Sequence, residues 1–302
     1  MPNSTAANSP LNASLPVWQV RQQQFHWGSR TYVMGILNIT PDSFSDGGQF
    51  TTLDAALAQA QSLIAAGADI VDIGGQSTRP QAEAIPLEAE LERVVPIVQA
   101  VRLISPVPIS VDTTRAAVAR AAIAAGADII NDISGATYDP EMLPTAAELQ
   151  VPIVLMHIRG TPQTMMQQTD YQDLVGEILA FLQQRIDSAI AAGVAPERIA
   201  IDPGIGFAKT YAQNLELLRR LSEFKALGCP ILVGTSRKSF IGHLLNQPDP
   251  KQRLWGTAAT VCASVVGGAD IVRVHDVREM REVCEVADAI WRRRGAEANH
   301  CR

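Results

Sequence analysis

The chain has 302 residues, with 25 Lys+Arg against 31 Asp+Glu, a formal net charge of −6 and a pI near 5.4. Apolar residues at 47% and charged residues at 19% suit a globular protein with a sizeable core, and the acidic balance without a Lys/Arg cluster argues against nucleic acid or an anionic membrane as a partner. No apolar run reaches the roughly 18 residues of a bilayer span, and Cys229, Cys262, Cys284 and Cys301 form no CxxC pair, so a soluble cytoplasmic protein with reduced thiols is expected.

In chain order, residues 1–24 open with MPNSTAANSPLNASL, small and polar, without the charged start or apolar run of a secretory signal. They read as a disordered or loosely attached tail. FHWGSR at 25–30 reads as a turn or hairpin. Apolar, β-branched runs then predict strands at 32–39, 69–75, 108–113, 128–134, 152–157, 199–204, 230–236 and 270–276. Between and after them, Ala/Leu-rich segments with helical spacing lie at about 53–66, 87–104, 115–125, 141–149, 173–192, 213–227, 253–267 and 277–293.

One phrase recurs at the junctions: AAGADI ends at Ile70 and again at Ile129, after its Asp69 and Asp128, and VGGADI ends at Ile271. It reads as a helix stopped by a left-handed Gly, a short turn, then a buried strand. Eight strands, each followed by a helix, predict an α/β protein, a (β/α)8 TIM barrel, in preference to an open doubly wound sheet. FHWGSR is then placed to cover the lower end of that barrel. No linker interrupts the chain, so one domain is expected over 25–295, with 296–302 as a C-terminal tail.

Most of these strands end in a residue that a core rejects: Asn38, Asp72, Asp112, Asn131 with Asp132, His157, Asp202, Ser236 and His275. A buried carboxylate is costly unless paired or bound to a ligand, and in a (β/α)8 barrel these strand ends share one mouth, where active sites lie. Any single Asp here could brace a loop instead; the whole ring points to a site. Its acceptors and amides suit a flat heterocycle with N–H donors. Arg79, Arg237, Lys238, Arg273 and His275 supply cationic or donor groups for an anion nearer the rim. Two glycine-bearing connections, 40–50 and 76–84, are expected at the same end as lids.

The motifs MGILNITPDSFSDGG (34–48), GGQSTRP (74–80), SVDT (110–113), NDISG (131–135), DPGIGFAKT (202–210), GTSRKSFIG (234–242) and RVHDV (273–277) occur in the order of the dihydropteroate synthase family, which the chain resembles from about 25 to 293. The resemblance implies a transferase of folate biosynthesis, a target of sulfonamides. The family joins (7,8-dihydropterin-6-yl)methyl diphosphate to para-aminobenzoate, with Mg²⁺ as cofactor and commonly as a homodimer.

Carried over by motif, the resemblance implies Asn38 as the Mg²⁺ ligand. Asp112, Asn131, Asp202 and Lys238 are implied as pterin-reading residues, with Met156 either touching the ring or packing in the core. Thr78, Arg273 and His275 are implied on the diphosphate side, and Ser236, Phe207, Arg79 and Pro80 around the aminobenzoate. Lys238, Asp112, Asp202 and Arg273 would carry the chemistry. His157 is expected to hydrogen-bond a neighbour rather than a substrate. No histidine pair has zinc-ligand spacing. Three positions depart from the family pattern: Gln76 where Glu is usual, and Gln81 and Ala208 where Gly is usual. Rival readings are a pterin-dependent methyltransferase, a catalytically silent pterin binder and an unrelated phosphate-binding barrel.

Overall fold

The structure, a computed structural model, describes residues 15–39 and 49–292. It opens with a short hairpin in which β1 (Trp18–Val20) and β2 (Gln23–Phe25) pair antiparallel, Trp18 opposite Phe25. The expected strands then form a single eight-stranded parallel sheet: β3 (Tyr32–Asn38), β4 (Ile70–Gly74), β5 (Ile109–Asp112), β6 (Ile129–Asp132), β7 (Ile153–Met156), β8 (Ile199–Asp202), β9 (Leu232–Val233) and β10 (Ile271–Val274). Neighbours run β8-β7-β6-β5-β4-β3-β10-β9, and a parallel bridge from Ile201 to Ile231 joins the two ends into a closed barrel.

Helices pack around it: α1 (Gln49–Ala65), α2 (Leu87–Ile104), α3 (Ala116–Ala125), α4 (Met142–Leu149), α5 (Leu174–Ala191), α6 (Tyr211–Arg219), α7 (Ser239–Leu245), α8 (Leu254–Gly267) and α9 (Val277–Trp291). α7 is an addition to the expected set. The repeated phrase does what its chemistry requires: Gly126 caps α3 at φ 116°, where its N–H reaches the carbonyls of Ala122 and Ile123.

Strand alternation sorts the side chains into two cores. Val33, Val71, Ile73, Val111, Ile130, Leu155, Ile201 and Val274 point outward against the helices. Met34, Ile70, Ile129, Val154, Ala200, Leu232 and Ile271 fill the barrel's floor, which the hairpin seals. Trp18, Phe25, Trp27 and Tyr32 stack there with ring centroids 4.8–6.5 Å apart. Two of their polar handles are tied to backbone: Trp18 Nε1 donates to the Glu197 carbonyl at 2.6 Å, and the Tyr32 hydroxyl accepts from the His26 N–H at 2.7 Å. The third, Trp27 Nε1, is buried without a partner among the described residues.

The hairpin covers the lower end, as FHWGSR suggested, but the tail boundary at 24 needs correction. Trp18, Val20 and Phe25 are buried parts of the barrel plug. Residues 1–14, the C-terminal tail 296–302 and Cys301 lie outside the described residues. So does most of the first expected lid, 40–48.

Candidate active site

Period-two alternation brings the polar residues inward at the carboxyl ends of the strands. In the register of the sheet Asn38 pairs with Gly74, Gly74 with Asp112, Asp112 with Asn131, and Met156 with Asp202, so these positions share the inner face of the mouth. Asp112, Asn131 and Asp202 are each 6% exposed or less. The expected convergence of these three residues holds.

Arg273, on β10, ties this face together. Its Nε donates to Asp72 Oδ2 at 2.6 Å and its Nη2 to Asp112 Oδ2 at 2.7 Å, while Asn131 Nδ2 donates to the same Asp72 oxygen at 3.3 Å. Asp72 stood in the expected ring but carried no assigned role. It is fully buried and anchors both Arg273 and Asn131; its other oxygen, Oδ1, has no protein partner among the described residues. Arg273 therefore commits two of its three nitrogens to carboxylates, and Nη1 makes no side-chain hydrogen bond among the described residues.

Burial dominates the electrostatics. The Asp112 carboxyl is pushed up to about 7 by desolvation, against the pull of Arg273 and with repulsion from Asp72, Glu90 and Asp132. Asp202 rises to about 6 for the same reason, although its Oδ1 accepts the Gly204 N–H at 2.7 Å and Lys238 and Lys209 attract it. Lys238 is drawn down to about 8, chiefly by desolvation. Its Nζ sits 4.0 Å above the centre of the Phe207 ring.

Ser236 and His275 were assigned to different substrates, yet they form one unit. Ser236 Oγ lies 2.9 Å from His275 Nδ1 and accepts the His275 N–H at 3.2 Å. Burial and the neighbouring Arg237, Arg273, Arg79 and Lys238 hold the imidazole neutral, at about 3. Arg237, expected among the anion-facing cations, is instead consumed by a bidentate pair with Asp276, at 3.0 and 2.5 Å. Its carbonyl accepts from Arg253 Nη1 at 2.9 Å, which braces the loop that carries Lys238.

Met156 is buried in a small apolar cluster with Ile133, Ile158, Met165, Phe207 and Ala208 at the edge of the mouth. Both readings of Met156 fit that position. Thr78 is half-buried, and Arg79 and Pro80 are exposed on the second lid. This lid is pinned at its base, where Gln76 Oε1 accepts the Ile85 N–H at 3.3 Å, and across the mouth, where the Gln81 N–H donates to the Pro162 carbonyl at 2.9 Å. Beneath it lies a cavity of about 220 Å³ that touches Thr78 and Asp112 and is lined by Glu90, Arg115 and Tyr138 among others. It flanks the ionic cluster without including Lys238, Asp202 or Arg273.

The family departures acquire a physical meaning. Gln81 has φ 67° and Ala208 φ 50°, the left-handed region that favours glycine. The glycine usual at each position suits the backbone; this chain instead carries a side chain there at a cost of about 1–2 kcal/mol. Two residues escaped notice in the sequence. Glu90, on the inner face of α2, accepts Thr113 Oγ1 at 2.6 Å and pairs with Arg115 at 2.9 Å, bracing the end of β5. Lys209 is 1% exposed, and its Nζ reaches His157 Nδ1 at 3.1 Å and the Phe207 carbonyl at 2.8 Å. His157 thus bonds a neighbour, as expected. A lysine inside DPGIGFAKT was the available signal for the second.

Comparison with known proteins converges on one family. The family model for pterin binding enzymes matches residues 34–275. The chain is 61% identical over 277 residues to the dihydropteroate synthase of Synechocystis sp., covering 92% of this chain and 96% of that protein. Among solved structures it resembles the Clostridium difficile dihydropteroate synthase determined in the presence of pteroic acid, with a TM-score of 0.85 and 44% identity over 89% of this chain and 100% of that one. The Yersinia pestis dihydropteroate synthase in complex with a sulfonamide drug matches with a TM-score of 0.85 and 44% identity, covering 91% of this chain and 99% of that one.

Proposed function

The chain belongs to the dihydropteroate synthase family of pterin-binding enzymes, and on that premise we propose how its barrel mouth divides the work. The enzyme condenses (7,8-dihydropterin-6-yl)methyl diphosphate with para-aminobenzoate, giving 7,8-dihydropteroate and diphosphate. The observation that carries the assignment is the shared inner face on which Asp72, Asp112, Asn131, Asp202 and Arg273 meet.

Asp112, Asn131 and Asp202 accept from the amino and ring N–H groups of the pterin, and Lys238 donates to its carbonyl and ring nitrogen. Met156 lies against the ring. Burial raises the carboxyls toward neutrality, and hydrogen bonds from a ligand rich in N–H donors favour the charged form. The Nη1 of Arg273, the Nε2 side of His275 and Thr78 take the diphosphate. Ser236 seats the aminobenzoate carboxylate, with Phe207, Arg79 and Pro80 walling the second pocket.

The bond that breaks is the one from the methylene carbon to the diphosphate oxygen, whose electron pair leaves with diphosphate. The electron-rich pterin stabilises the cationic carbon, and the buried carboxylates around it hold charge of the right sign. The aniline nitrogen then forms the C–N bond and releases its proton to solvent. Aniline is weakly basic and its lone pair is free, so no strong general base is needed. The second lid excludes water that would capture the carbon.

Asn38 is half-buried at the mouth end of β3, and the described residues contain no cluster of three or more His, Cys, Asp or Glu side chains arranged for a metal. The Asn38 amide oxygen suits Mg²⁺, a hard cation that would keep waters and take its other oxygens from substrate phosphate. Asn38 would hold the ion, which would supply positive charge to the diphosphate.

We assign the exposed apolar residues of the C-terminal helices to a homodimer interface. Leu244, Leu245, Trp255, Val266, Val286, Ile290 and Trp291 are 48–80% exposed on α7, α8 and α9. Cys229, Cys262 and Cys284 are free, which suits the cytoplasm. No helix among the described residues is long and apolar enough to cross a membrane.

The test is direct: incubate the protein with Mg²⁺, the pterin diphosphate and para-aminobenzoate, and measure dihydropteroate. Product formation that a sulfonamide suppresses competitively with aminobenzoate is expected. Pterin binding without product would instead indicate the silent-binder reading.

A further inference from the structure

Lys209 is among the largest fully buried side chains of the protein, and among the described residues it forms no ion pair within 4.0 Å. A lysine so placed is rare, because its nitrogen must find compensating partners. Both partners belong to one local construction. The Phe207 carbonyl accepts from Nζ at 2.8 Å within the loop itself, and His157 Nδ1 lies 3.1 Å away at the end of β7. His157 is wedged edge-on against Phe181, with ring centroids 4.9 Å apart, and its N–H donates to the Asp202 carbonyl at 2.9 Å. The Tyr171 hydroxyl donates to the Ala208 carbonyl at 3.0 Å. The loop from Asp202 to Thr210 is thereby cross-tied to β7 and to the segment before α5.

The loop needs those ties. Its backbone is left-handed at Gly204 (φ 72°), Gly206 (φ 83°) and Ala208 (φ 50°), alternating with ordinary residues. At Gly204 a Cβ would fall 2.0 Å from the His157 carbonyl oxygen, so the loop is pressed against β7 where the lysine bond forms. What it presents to the mouth is the Phe207 ring, 8% exposed, with Lys238 Nζ 4.0 Å from its centre. Among the described residues, the hydrogen bond to the Phe207 carbonyl comes from Lys209.

We propose that Lys209, held by His157, is a positioning residue that fixes the Phe207 peptide and so sets the aminobenzoate pocket against Lys238. The groups facing the pair fit this role. Asp202 attracts the Lys209 ammonium, whereas Lys238 and Arg159 repel it, and burial brings it well below the usual lysine range. Burial, Lys209 and Arg159 keep the imidazole neutral, at about 2, and a bond donated by the lysine to Nδ1 requires the ring proton on Nε2. Neither group touches a reacting atom.

This inference rests on the assignment of Phe207 to the aminobenzoate pocket, and the experiment separates the two. Lys209→Met keeps the stem and loses the donors. It should raise the KM for para-aminobenzoate about ten-fold, the scale of one net hydrogen bond, and leave kcat and the KM for the pterin diphosphate within about two-fold. His157→Asn retains an acceptor near the Nδ1 position and should stay close to the parent, whereas His157→Leu should behave like Lys209→Met. That histidine pair decides the matter if Lys209→Met does not fold. A fall in melting temperature with unchanged aminobenzoate KM in Lys209→Met and His157→Leu would overturn the proposal, as would equal shifts in both KM values. Phe207→Ala is the control: if its aminobenzoate KM is unchanged, the pocket assignment itself is wrong and the inference falls with it.

Discussion

The two ends of the barrel solve opposite problems. At the floor, Trp18, Phe25, Trp27 and Tyr32 close an apolar plug over Met34, Ile70 and Ile271, and the polar handles of Trp18 and Tyr32 are bonded to backbone. At the mouth, the same strands crowd Asp72, Asp112, Asn131 and Asp202 around a single arginine, leave Asp72 Oδ1 without a partner among the described residues and raise two carboxyls toward neutrality. The floor is built for stability; the mouth gathers costly polar groups that a ligand completes. One barrel can carry such a strained constellation because its other end is so well packed.

The difference can be tested by substitution at either end. Arg273→Met should have the largest effect. It removes the cation between Asp72 and Asp112 and the donor proposed for the diphosphate, and turnover should fall about 100- to 1000-fold. Steady-state assay of dihydropteroate formation reads this directly, and a loss below about ten-fold, one hydrogen bond's worth, would contradict the arrangement. At the floor, Phe25→Ala should cost about 3–5 kcal/mol in denaturant unfolding with both KM values unchanged. A changed KM there would mean that the two ends are coupled.

The pH response sharpens the comparison further. Asp202 and Asp112 have folded-state pKa values raised to about 6 and about 7. They are therefore protonated, and poor acceptors, on the acid side. Affinity for a pterin should rise as pH increases from about 5 to about 7, by about ten-fold per unit for each proton released on binding. The sign for stability is opposite: a raised carboxyl pKa stabilises the unliganded fold below the unfolded value and loses that contribution as pH climbs through about 6 to about 7. Calorimetry across this range measures the first and thermal unfolding without ligand the second. The smallest effect is expected at the lid. Gln81→Gly relieves a φ of 67° but loosens the unfolded chain, so stability should shift by less than about 1 kcal/mol.

The sequence revealed the mouth better than the floor. Alternation along β5, β6 and β8 puts Asp112, Asn131 and Asp202 on the inner face, and this could be read because strand period and barrel closure leave little choice. The plug strand Trp18–Val20 is three residues long, too short to show a period, and its burial depends on partners as distant in sequence as Glu197. Arg237 and Lys238 are adjacent in a motif, yet one is consumed by Asp276 and the other faces Phe207. Spacing cannot tell which cation a distant carboxylate will claim. Glu90 shows the same limit, since a charged residue in a helix reads as surface until Thr113 and Arg115 are placed beneath it.

The most direct test of the mouth's assignment is the dissociation constant of 7,8-dihydropteroate, measured by titration calorimetry for the parent and for Asp202→Asn. The substitution preserves size and removes the carboxylate that we propose faces the pterin. Weakening by at least about 100-fold, the scale of a charged hydrogen bond lost in a buried site, is the expected result. Equal affinities would place the pterin elsewhere in the barrel.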